Sequence, residues 1–74
     1  MNKFPSKEIV EQLCKQYPQG ARVELVRMND PYSRLKPGDL GTVDFVDDTG
    51  TLFCIWDNGS TLGVVYGIDK IKRL

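Results

Sequence analysis

Aspartate side chains at predicted turns are the first residues in this sequence that could do acid–base chemistry or bind a metal ion. Four of them share this setting: Asp47, Asp48, Asp57 and Asp69. Asp is favoured in turns because its carboxylate hydrogen-bonds to nearby backbone amides. We therefore interpret all four as turn residues and not as a general acid and base. Residues 47–50 also lack the length and the closing Glu of a calcium-binding loop.

The residue types needed for other common reactions are scarce. The chain has no histidine, which excludes a His-based triad or general base. Its two cysteines, Cys14 and Cys54, are too few for a disulfide framework, and without histidine they do not make a tetrahedral zinc site. No phosphate-binding glycine loop is found. We expect reduced thiols, no catalytic residues, no cofactor and no metal, hence a protein that is not an enzyme.

The net charge of the chain is compatible with either a protein partner or a nucleic-acid partner. The charges of ten basic and ten acidic residues cancel, so the net charge is zero. A strongly basic nucleic-acid-binding protein would instead carry a large positive net charge. A local basic patch remains compatible with this balance, and its candidates are Arg27, Tyr32, Arg34, Lys36, Lys70, Lys72 and Arg73. Tyr32, with cations nearby in the loop 29–40, could stack on a base or hold an acidic or proline-rich peptide. The alternative is a solvated loop in which Tyr32 covers one end of the domain.

A short amphipathic helix is predicted over residues 6–17. Ser6 is a suitable N-cap, and the apolar residues that recur at helical spacing are Ile9, Val10, Leu13, Cys14 and Tyr17. Such a helix is too short to be stable alone in water. Its apolar stripe must therefore pack either on the same domain or on a partner. Because no apolar run approaches the length that spans a bilayer, we expect a soluble, cytoplasmic protein with no membrane partner.

Short strands are predicted for the rest of the chain. They cover residues 21–28, 41–46, 51–56 and 60–65, with a short final strand within 68–74. A long loop after the first strand, followed by a tight three-strand meander, is typical of an SH3-like barrel; an OB-fold is the nearest alternative. The expected fold is mainly β (α+β), a single domain over 1–74, with the N-terminal helix at 6–17 preceding a small SH3-like β-barrel at 21–74.

Turn lengths predict which side chains share a face of the sheet. A four-residue turn at 47–50 pairs Phe45 with Leu52 and Val43 with Cys54, so Val43, Phe45, Leu52, Cys54 and Trp56 form the predicted core face. The next turn could have two residues, 58–59, or three, 57–59, with Gly59 left-handed. We favour three, because this register pairs Leu52 with Val64 and Cys54 with Leu62, and sets Gly63 opposite Phe53.

This register leaves two large apolar residues outside the core. Phe53 and Ile55 point to the outer face of the sheet, beside Val65. Large apolar side chains on an outer face indicate either a binding surface or a site where another element docks. One hypothesis is that the N-terminal helix lies over them, and the other is that a partner does.

Several motifs along the chain resemble a known family. They are Pro5-Ser6-Lys7-Glu8-Ile9-Val10, Gly20-Ala21-Arg22-Val23-Glu24-Leu25-Val26, Asp30-Pro31-Tyr32, Pro37-Gly38 with Gly41-Thr42-Val43, and Trp56-Asp57-Asn58-Gly59-Ser60. Together they resemble a family of short bacterial, phage and mobile-element proteins known only as a domain of unknown function. The resemblance covers nearly the whole chain and implies a small stand-alone protein, with no catalytic residues to transfer. From Gly38 onward the sequence is also similar to KOW-type and mind-bomb-type barrels, which bind nucleic acid, ribosomal components or peptides.

Two functions therefore compete. The first is a protein-binding module that uses Phe53, Ile55 and Val65 on the outer face and Tyr32 in the loop. The second is a nucleic-acid-binding module that uses the basic candidates named above. Neutral net charge favours the first.

Overall fold

The described residues form one helix and five antiparallel strands. The computed structural model describes residues 5–29 and 34–74. Its elements are α1 (Lys7–Gln16), β1 (Arg22–Arg27), β2 (Leu40–Val46), β3 (Thr51–Trp56), β4 (Gly63–Val65) and β5 (Lys70–Arg73). The strands form a single sheet in the order β4-β3-β2-β1-β5. The fold is mainly β with one N-terminal helix, as predicted, although β4 is shorter than expected.

The sheet is open, so the predicted closure into an SH3-like barrel is not confirmed. Strands β4 and β5 are its two edges, and no ladder joins them within residues 5–29 and 34–74. Asp69, in the turn between β4 and β5, links the edge strand β4 to the segment that follows β1. Asp69 accepts hydrogen bonds from the amide of Val65 at 3.0 Å and from the amide of Asn29, which follows β1, at 2.9 Å.

The helix packs on the inner face of the sheet. Ser6 caps it by accepting a hydrogen bond from the amide of Ile9 at 3.3 Å. Leu13 and Tyr17 are buried in the core, whereas Cys14, also predicted on the apolar stripe, is exposed. At the other end, Arg73 Nη1 donates to the carbonyl of Gln16 at 3.0 Å, which satisfies a carbonyl that the helix leaves free. In the described part of the chain, no helix has the length and apolar content needed to cross a membrane.

Trp56 is the largest fully buried side chain of the core. It is 1% exposed, and its indole N–H donates to the carbonyl of Leu62 at 3.0 Å. Leu62 lies just outside the β3–β4 ladder, which begins at Gly63. Gly41 lies opposite Trp56, where a Cβ atom would come within 2.7 Å of the ring. The other core residues are Leu13, Tyr17, Ala21, Val23, Leu25, Leu35, Val43, Leu52, Cys54 and Val64.

A bulge in β2 overturns one of the predicted pairings. Val43 pairs with Cys54 as expected, but Asp44 is then an extra residue, so that Phe45 pairs with Phe53. The prediction that Phe45 pairs with Leu52 in the core is therefore wrong. A bulge shifts the alternation of side chains by one position, which turns Phe45 outward. Val46 takes its place opposite Leu52 and packs against the core.

The second turn has the favoured three-residue register. Leu52 pairs with Val64 and Phe53 with Gly63. Gly59 has a φ of +94°, in the left-handed region, and its amide donates to the carbonyl of Trp56. The predicted pairing of Cys54 with Leu62 does not form, and the carbonyl of Leu62 instead accepts the hydrogen bond from the Trp56 indole.

Candidate functional site

An apolar patch covers part of the outer face of the sheet. It consists of Phe45, Phe53, Ile55 and Val65, and we call it the outer patch. The rings of Phe45 and Phe53 stack with their centroids 4.7 Å apart and their planes 19° apart. Phe45 is 51% exposed, Ile55 54% and Val65 39%, whereas Phe53 is partly buried. The patch thus presents a pre-formed aromatic stack, together with two aliphatic side chains, on its surface.

Local backbone features position the stack. The β2 bulge brings Phe45 directly opposite Phe53. On the other side of Phe53, β4 carries Gly63, where a Cβ atom would lie 3.3 Å from the ring and 2.7 Å from the Thr51 methyl. The glycine therefore leaves room for the ring to lie flat, as the register predicted.

The helix does not cover the outer patch. Its buried residue Leu13 and the C-cap residue Tyr17 join the core cluster on the inner face. The hypothesis that the helix lies over Phe53 and Ile55 is therefore wrong. The helix reaches only the border of the patch, where a groove of about 290 Å³ between the helix end and β2 is lined by Cys14, Pro18, Phe45 and others.

A polar cluster borders the patch on the β1 side. Arg22 forms a two-pronged ion pair with Asp57, at 2.9 and 2.7 Å, and donates to the hydroxyl of Thr42 at 2.9 Å. Thr42 lies opposite Ile55 in the ladder. The hydrogen bond to Arg22 lowers the pKa of Asp57, and the same contact raises the pKa of Arg22. An apolar centre with a polar border is the usual anatomy of a protein interface.

The basic candidates are dispersed, and two of them are engaged within the protein. Lys72 forms a 3.8 Å ion pair with Glu24, and Arg73 bonds the helix carbonyl described above. Arg34 and Lys36 are exposed in the loop before β2. Tyr32 lies outside the described residues.

Arg27 and Lys70 are the basic candidates that the structure brings together. They are opposite each other at the ends of β1 and β5. Both line a groove of about 310 Å³ between the helix, the β4–β5 turn and β5, which we call the seam groove. Its other lining residues are Leu13, Gln16, Tyr17, Leu52, Val64, Tyr66, Gly67, Asp69 and Ile71.

Few titratable side chains in the described part of the chain have a pKa that is clearly shifted from its ordinary value. Burial raises the pKa of the Cys54 thiol to about 11. The pKa of Asp47 is lowered, chiefly by the hydroxyl of Thr49, in a turn where Asp47 also accepts the amides of Thr49 and Thr51. Within residues 5–29 and 34–74, no group of three or more Cys, Asp or Glu side chains is arranged to hold a metal ion.

Sequence reasoning missed two residues of these sites, Phe45 and Tyr66. Phe45 was assigned to the core because nothing in the sequence marks Asp44 as a bulge. Tyr66, which is 46% exposed and lines the seam groove, is not among the predicted binding residues. The sequence signal available for Tyr66 was an aromatic residue directly after a predicted strand.

Comparison with known protein families gives one match for this chain. Residues 6–74 match the model of a domain of unknown function, DUF4314. The match spans nearly the whole chain, and the protein therefore belongs to this family. No curated protein and no solved structure shows a significant match.

Proposed function

We propose that this protein is a non-enzymatic binding module that contacts another protein through the outer patch. The observation that carries the proposal is the exposed Phe45–Phe53 stack beside Ile55. These side chains lie on the face opposite the core, so their apolar character is not needed to bury the inner face. Large exposed apolar patches with polar borders are typical of interaction sites, and aromatic residues are frequent among the side chains that dominate binding energy.

We further propose that the domain is a small SH3-like module, of the kind found in KOW-type and mind-bomb-type barrels, from a bacterial, phage or mobile-element protein. Support for this architecture comes from Asp69, whose two hydrogen bonds tie the edge strand β4 to the segment after β1, the neighbour of the other edge strand β5. The motif resemblance supports the origin.

A nucleic-acid-binding role is the second candidate, and the juxtaposition of Arg27 with Lys70 favours it. Two observations count against it. Lys72 and Arg73 are engaged with Glu24 and the helix carbonyl, and the net charge is zero. Salt dependence separates the two roles, because phosphate contacts weaken steeply as salt is added and apolar contacts do not.

The test is a quantitative pull-down from the native cell with matched variants. Phe45→Ser/Ile55→Ser removes two exposed side chains of the outer patch, and Ile68→Ser removes a similarly exposed one, 49%, from the β4–β5 turn. We expect the double variant to stay folded by circular dichroism and to lose about tenfold or more of the recovered partner, since an interface hot spot contributes on the order of 2 kcal/mol. The Ile68 control should retain the partner.

Equal recovery by the wild type and a folded double variant would contradict the proposal. Light scattering after size-exclusion chromatography supplies the second readout. If the wild type is a dimer that the double variant converts to a monomer, the outer patch binds a second copy of this chain and not a different protein.

A further inference from the structure

The seam groove carries an unusual pair of charges. Arg27 and Lys70 are directly opposite each other because Val26 is an extra residue in β1, a bulge between the Leu25–Ile71 and Arg27–Lys70 pairs. Bulges redirect side chains, and here both cations line the same groove. Like charges directly opposite in a ladder are destabilising. An anion bound between the two cations would relieve this repulsion.

No described side chain forms a direct ion pair with these two cations. Neither Arg27 nor Lys70 forms an ion pair or a side-chain hydrogen bond with residues 5–29 or 34–74. Asp69 also lines the groove, and its carboxylate offsets part of this charge, but it is held by the amides of Asn29 and Val65 and forms no direct ion pair with either cation. By contrast, the next cation along β5, Lys72, is paired with Glu24.

The walls of the groove are apolar. Leu13, Leu52 and Val64 are buried residues that line it, and the partly buried Ile71 adds to them. Its volume of about 310 Å³ is at the small end of ligand-binding pockets. It has room for one apolar side chain with an acidic group next to it, and Tyr66 at its side adds an exposed ring.

We propose that the seam groove binds an extended peptide that places one apolar side chain on the groove floor and a neighbouring carboxylate between Arg27 and Lys70. This site is separate from the outer patch and would give the module a second point of contact. A peptide fits this groove better than a nucleic acid does. Proteins that bind a nucleic-acid strand usually have a row of cations along its phosphate backbone. Among residues 5–29 and 34–74, Arg27 and Lys70 are the only basic side chains that line the groove.

The test is an NMR titration of the isotopically labelled protein with three synthetic probes: acetyl-Glu-Leu-Glu-amide, acetyl-Gln-Leu-Gln-amide and acetyl-Lys-Leu-Lys-amide. We expect the acidic peptide to shift the amides of Arg27, Tyr66 and Lys70 and to bind about tenfold more tightly than the neutral one, since one charge-assisted contact is worth about 1.5 kcal/mol. The basic peptide should leave these amides unchanged.

Matched variants locate the contact. Arg27→Gln/Lys70→Gln should remove the preference for the acidic peptide, whereas Arg34→Gln/Lys36→Gln, which deletes the same charge from the loop before β2, should keep it. The outer-patch variant Phe45→Ser/Ile55→Ser should bind the acidic peptide like the wild type, so that failure of this proposal is distinguishable from failure of the first.

Three results would overturn the proposal. They are an absence of shifts at the groove with the acidic peptide, equal binding of all three peptides, and equal loss in both charge variants. A short oligothymidine that shifted the same amides with higher affinity than the acidic peptide would also overturn it, and would assign the groove to nucleic acid.

Discussion

The two faces of β3 differ sharply although both carry apolar side chains. On the inner face, Leu52, Cys54 and Trp56 are at most 3% exposed, and the helix packs over the same core. On the outer face, Ile55 is 54% exposed, and Phe53 is partly covered by Phe45, itself half exposed. The inner face forms the buried core, whereas the apolar residues of the outer face remain largely exposed.

The inner and outer faces of the sheet also differ in the surroundings of their polar groups. On the inner face, the one polar group of Trp56 is satisfied by the carbonyl of Leu62, and no buried side-chain nitrogen or oxygen in the described part of the chain lacks a partner. On the outer face, the Arg22–Asp57 pair is exposed to solvent. The predictions below separate the two faces, starting with the largest expected effect.

Truncation of neighbouring residues on β3 should give very different losses of stability. Trp56→Ala should lower the free energy of unfolding by about 3–5 kcal/mol, because it leaves a cavity in the core. Ile55→Ala should change it by no more than about 0.5 kcal/mol, since most of that side chain is already in water. Urea unfolding followed by far-UV circular dichroism measures both. Comparable losses would mean that the outer face is part of the core.

Two glycines provide a second comparison of the faces. In Gly41→Ala the new methyl group would meet the buried Trp56 ring at 2.7 Å, and we expect a loss of about 1–3 kcal/mol from overpacking. In Gly63→Ala it would meet the Thr51 methyl at 2.7 Å and the Phe53 ring at 3.3 Å, on the exposed face where both can move. A loss of less than about 1 kcal/mol is expected there. Urea midpoints of the two variants test the ranking, and a larger loss for Gly63→Ala would reverse it.

Local patterns in the sequence predicted most of the fold. Ser6 and the apolar spacing from Ile9 to Tyr17 predicted the helix, because capping and periodicity act within one or two turns. Gly59 and the alternation of β3 with β4 predicted the second hairpin, including Gly63 opposite Phe53. These features depend on residues close together in the chain, and for that reason they can be read without the fold.

The predictions that failed concern features that depend on bulges and long-range packing. The extra residues Asp44 in β2 and Val26 in β1 carry no distinctive sequence mark, and each changes the direction of the side chains that follow. One bulge moved Phe45 from the predicted core to the outer patch, and the other set Arg27 beside Lys70. The side of the sheet on which the helix packs could not be predicted either, because its stripe suited either apolar face.

The outer-face pair Arg22–Asp57 should produce the smallest effect, seen in the pH dependence of stability. The pKa of Asp57 in the folded protein is lowered below its ordinary value of 3.8 by the hydrogen bond to Arg22. A lowered folded-state pKa contributes stability above the unfolded-state pKa, and this contribution is lost as the pH falls through the folded-state value. Asp57→Asn should therefore flatten the decline of the urea midpoint below pH 3.8. Arg22→Gln should flatten it similarly, whereas an unchanged acid profile in Asp57→Asn would mean that solvent screens the pair completely.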